Sequence, residues 1–69
     1  MSHKIRVKGY TWIEGRLFTE EHMLDSLDAA IAHARSRGPH AFKVLDVETN
    51  EVLFTEIITD TGNQLPEYA

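Results

Sequence analysis

The sequence predicts an α+β fold of ββαββ order, a four-stranded antiparallel sheet with one helix packed on one face. Three observations carry that prediction. The first segment alternates polar and apolar residues at period two, the apolar positions from Leu24 recur at helical spacing, and two β-rich runs near the C-terminus flank a short turn sequence. A length of 69 residues, 42% hydrophobic content and no cysteine fit one small domain without disulfides or thiolate zinc sites. We expect residues 1–58 to form that domain and residues 59–69 to form a flexible C-terminal tail.

Lys4-Ile5-Arg6-Val7-Lys8 places Ile5 and Val7 on one strand face and the three cations on the other. Gly9 then offers two continuations. A regular strand puts Tyr10 and Trp12 on the cationic face, whereas a bulge swings both aromatics toward the core. We expect the bulge, because a domain with so little to bury usually buries its large aromatics. Glu14-Gly15 reads as a two-residue turn, and Arg16-Leu17-Phe18-Thr19 as the returning strand. The polar residues Thr19-Glu20-Glu21-His22 then lead into the helix.

Leu24, Leu27, Ala30, Ile31 and Ala34 form one helical stripe, predicting a helix over roughly Leu24 to Arg37. Asp25 and Asp28 near its start and Arg35 and Arg37 at its end complement the helix dipole. Gly38-Pro39 ends it. The runs 41–47 and 52–58 make a second hairpin, with Glu48-Thr49-Asn50 suited to a type I turn closed by a left-handed asparagine.

The charge is −4 overall but unevenly distributed. Lys4, Arg6, Lys8 and Arg16 dominate the start, while Asp46, Glu48, Glu51, Glu56, Asp60 and Glu67 follow without a base. Were the two ends neighbours in the sheet, the pattern would favour their pairing. No apolar run approaches the roughly 18 residues that span a bilayer, so we expect no membrane partner and a cytoplasmic location.

The second hairpin carries apolar residues on both faces. With Val47 opposite Glu51, Phe42, Val44, Val52, Phe54 and Ile58 share one face, and Leu45, Val47, Leu53 and Ile57 the other. One helix covers only one of them. Either the tail and a loop fold over the second face or another chain does, and we expect the second, as a homodimer or with a different protein. Leu45, Val47, Leu53 and Ile57 are then the contact, with Lys43 and Glu51 setting register. Burying four such side chains contributes on the order of 6–10 kcal/mol before association costs.

An alternative is nucleic-acid binding. On a regular first strand Lys4, Arg6 and Lys8 would contact phosphates while Tyr10 and Trp12 stack on bases, although the net acidity opposes it. Chemistry is harder to find. His3, His22, His33 and His40 follow no metal-ligand spacing, and His33 is expected nearly opposite the apolar stripe. If His22 and Asp25 meet at the helix start, we expect a local hydrogen bond and not a catalytic dyad. The serines lack a nucleophile elbow and the glycines form no phosphate loop, so we expect no enzyme, no cofactor and no metal.

The strand-strand-helix-strand-strand order, the helix reading Leu-Asp-Ala-Ala-Ile-Ala-His-Ala-Arg and the hairpin Asp46-Val47-Glu48-Thr49-Asn50-Glu51-Val52 resemble those of small bacterial proteins of unknown function. The similarity covers roughly residues 4–58. It implies a bacterial, non-enzymatic, stand-alone domain and carries over no functional residue.

Overall fold

A computed structural model describes residues 4–65. The elements are β1 (Ile5–Ile13), β2 (Arg16–Leu24), α1 (Leu27–Arg37), β3 (Ala41–Asp46) and β4 (Val52–Ile57). They form one antiparallel sheet of order β2-β1-β3-β4, with α1 against one face. The expected α+β architecture is the observed one.

β1 runs through Gly9 without a bulge: Gly9 pairs in register with Glu20 on one side and Phe42 on the other. A Cβ there would meet the Pro39 ring at 3.4 Å, an ordinary packing contact, so Pro39 lies over this position of the sheet without requiring a glycine beneath it. The register irregularity falls instead in the second hairpin, between Val44 and Leu45.

Glu14 and Gly15 both adopt positive φ, as a two-residue turn matched to strand twist requires. The returning strand is longer than predicted. It continues through the polar stretch to Leu24, which pairs with Ile5. Polar residues persist there because β2 is an edge strand with one flank in water. The helix consequently starts at Leu27, where the Ser26 hydroxyl accepts the Ala29 N–H at 3.1 Å. Its other end matches expectation: Gly38 takes the left-handed conformation and returns its N–H to the Ala34 carbonyl.

The core between helix and sheet is small. Val7, Phe42 and Val44 from the central strands meet Ala30 and Ala34 of α1, with Ile5, Leu24, Ile31 and Phe54 packed around them. The two alanines let the helix approach closely, and Phe42 and Phe54 lie with ring centroids 5.9 Å apart. Two bidentate ion pairs then fasten the last helical turn to both edges of the sheet. Arg37 binds Glu20 of β2 at 2.7 and 2.9 Å, and Arg35 binds Glu56 of β4 at 3.0 and 2.7 Å.

In the second hairpin Asn50 is left-handed as expected, and the Asp46 carboxylate accepts the Glu48 and Thr49 N–H groups. β3 ends at Asp46, so Val47 lies in the turn and is not paired with Glu51 as a strand residue. Val52 stands beside the register shift, opposite Leu45. The basic first strand and acidic last strand are separated by β3, and Arg6 meets Glu21 of β2 instead, at 3.5 Å. Among the described residues, no helix is long and apolar enough to cross a membrane.

Candidate interaction face

Alternation and register assign each strand residue to a face. Ile5, Val7 and Gly9 look toward α1, so Arg6, Lys8, Tyr10 and Trp12 line the opposite, open face. Their cross-strand partners share it: Met23, Glu21, Thr19 and Leu17 on β2, and Leu45, Lys43 and Ala41 on β3. On β4, Ile57, Thr55 and Val52 oppose Ala41, Lys43 and Leu45, and Leu53 is the extra residue at the irregularity, without a Cα partner on β3. A cationic and aromatic centre is thus flanked by apolar side chains on both outer strands.

The centre is less accessible than its composition suggests. Tyr10 is 1% exposed and Lys8 7%, so the expected burial of Tyr10 holds although it lies on the face away from the helix. Lys43 Nζ stands 6.0 Å from the Tyr10 ring centroid. Burial, and secondarily the Glu21 carboxylate, push the Tyr10 hydroxyl above its usual pKa. Trp12 is half-buried against the His40 ring, which lies nearly parallel to it at 6.3 Å. β3 begins too late to reach the Trp12 N–H, and His40 Nδ1 accepts that bond at 3.0 Å in its place.

The five residues of the nucleic-acid arrangement are distributed unequally. Lys4 is exposed just before β1, Arg6 is half-buried beside Glu21, and Lys8, Tyr10 and much of Trp12 are withdrawn from solvent. The row exists, but its presumed stacking platform is packed.

Of the expected contact residues, Leu53 is 40% exposed and Ile57 61%, both on β4. Leu45 is half-buried on β3, while Val47 sits in the turn with its N–H bonded to the Lys4 carbonyl. Among the described residues, the segment after β4 lies at the end of this face marked by Trp12, Ala41 and Ile57. His40 O accepts N–H bonds from Ile58 and Thr59, and Thr59–Thr61, Asn63 and Leu65 border a void of about 20 Å³ together with Trp12, Ala41 and Ile57. The residues 66–69 of the expected tail lie outside the described residues, as does His3.

A second feature went unread in the sequence. Ala30, His33, Ala34 and Arg37 form an i, i+3, i+4, i+7 stripe. His33, expected nearly opposite the apolar stripe, meets His22 of β2 at 4.5 Å between ring centroids. His22 Nε2 bonds Glu20 at 2.8 Å. Both rings line a cavity of about 120 Å³ with Gly9, Thr11, Phe18 and Pro39. Hydrogen bonds from Arg37 and then His22 hold the Glu20 carboxyl at a pKa of about 2.

No family model, curated protein or solved structure matches the chain.

Proposed function

We propose that the protein is a non-catalytic protein-interaction module that pairs with a second copy of itself through the β3–β4 flank of its open sheet face. The observation that carries this reading is the exposure of Leu53 and Ile57 on a strand whose other side packs the core through Phe54. An antiparallel sheet with one wet face ordinarily alternates apolar with polar residues, and β4 does not.

Size supports the same conclusion. A domain of this length supplies about 3–5 kcal/mol from its core alone. Among the described residues that core holds three fully or nearly fully buried aliphatic or phenyl side chains, Val7, Phe42 and Val44, beside two alanines. There is no cysteine to staple it. Association is the remaining route to a larger buried surface, and a two-fold pair is its commonest form. Leu45, Leu53 and Ile57 supply the apolar contact. Lys43 on the face and Glu51, just before β4, carry the opposite charges that would set the register between two copies.

Sedimentation of the full chain across a concentration range tests the proposal. The wild-type chain should approach twice its monomer mass as concentration rises, and Leu53→Glu should remain a folded monomer. A wild-type chain that stays monomeric throughout, or a Leu53→Glu variant that still dimerises, overturns it.

A further inference from the structure

We propose that His22 and His33 bind one divalent transition-metal ion of the zinc and nickel class, at the cavity between β2 and the last turns of α1. The spacing of the rings is the first support. With metal–nitrogen distances of about 2.0–2.1 Å, two imidazoles on neighbouring positions of one ion have centroids roughly 4.5–5.2 Å apart. The observed separation is 4.5 Å, at an interplanar angle of 64°.

The hydrogen-bond pattern is the second. A carboxylate gripped by Arg37 through both oxygens accepts, so the 2.8 Å contact makes His22 Nε2 the donor and leaves Nδ1 as the ring nitrogen not engaged by Glu20. A carboxylate behind a histidine is the outer-shell arrangement that orients the ring and raises its basicity toward a metal. Arg37 clamps that carboxylate through both oxygens, so the orienting group is itself held. On the helix side, His33 Nε2 is buried and has no hydrogen-bond partner among the described residues. A buried ring nitrogen without a partner calls for an explanation, and a ligand supplies one.

The cavity is the third. Its volume of about 120 Å³ accommodates an ion with several water ligands, each water occupying about 30 Å³. Water ligands are needed, since no group of three or more potential side-chain ligands gathers among the described residues. The ion would tie β2 to α1 across this cavity.

The experiment is a titration of the full chain with zinc chloride and with nickel chloride, in a His3→Ala background that removes the terminal histidine. Calorimetry should give one ion per chain, and tenfold excess over the dissociation constant should raise Tm by roughly 5 °C or more. The ¹⁵N resonances of His22 and His33, and not of His40, should shift with metal. Binding should disappear in His22→Ala and in His33→Gln, persist in His40→Ala, and weaken about tenfold or more in Glu20→Gln. Absence of binding at millimolar metal overturns the proposal. So does binding that survives His33→Gln, or imidazole shifts confined to other residues. Because the imidazole shifts are read in a chain with both ligands intact, the outcome does not depend on either variant folding.

Discussion

Ile57→Lys separates the contribution of the open face to association from its contribution to folding. Ile57 is 61% exposed in the single chain, so most of its apolar surface contributes nothing to the stability of the monomer. Fully burying an isoleucine contributes about 1.5–3 kcal/mol, and the exposed share corresponds to about 1–2 kcal/mol per copy in a dimer. A two-fold interface contains the residue twice. The substitution should therefore weaken dimerisation by about 2–4 kcal/mol, or roughly 30- to 700-fold in Kd. The monomer should lose about 1 kcal/mol or less, because only the smaller, packed share of the side chain is removed and lysine is well tolerated on edge strands. Sedimentation equilibrium measures the first quantity and urea denaturation at low protein concentration the second. Equal losses in both, or an unchanged Kd, would refute the assignment of Ile57 to an interface.

Three further outcomes follow from the fold. Phe42→Ala should cost about 3–5 kcal/mol; Phe42 is 0% exposed at the centre of the core, so circular dichroism should find the variant largely unfolded at 25 °C. Gly38→Ala should cost about 1–2 kcal/mol, since φ is +71° there and a Cβ meets open space, which leaves backbone strain as the only penalty to appear as a lower Tm. Glu20 has its pKa lowered from 4.5 to about 2, so its contribution is fully present above pH 4.5 and is lost as pH falls through about 2. Glu20→Gln should accordingly lower Tm at pH 7 and make no difference below pH 2, with thermal unfolding across that window as the check; a difference that is constant with pH would contradict the ion-pair origin.

Much of the fold was legible because it is written in local periodicity. Alternation in β1, the Gly38 cap and the Asn50 turn each depend on a few adjacent residues and lie where those residues predict, whereas the helical stripe holds only from Ala30 onward, because Leu24 belongs to β2 and Leu27 is exposed. The errors share another cause. Gly9 was expected to form a bulge because an isolated glycine in a strand often marks one, whereas its pairing with Glu20 and Phe42 on both flanking strands keeps β1 regular, and that pairing is not local. β2 was expected to end early because its polarity resembles a loop; its pairing to β1 along nine residues, from Ile13–Arg16 to Ile5–Leu24, supplies the backbone bonds that its side chains do not advertise.

The candidate sites divide in the same way. Leu53 and Ile57 were readable as surplus apolar residues by counting faces, without knowledge of the sheet order. His22 and His33 were not, because their meeting needs the true length of β2, the start of the helix at Leu27 and the rotation of α1 about its axis all at once. Arg35 and Arg37 illustrate the same limit: their place in the last helical turn follows from spacing, but their bidentate grip on Glu56 and Glu20 depends on the sheet extending to both sides of the helix. Chain-local energetics, which act over three or four residues, determined the elements and their ends. Which surfaces face one another, and so which side chains can act together, was decided only when the helix settled across β1 and β3 to bury Phe42 and Val44, because that burial has no counterpart in the isolated segments.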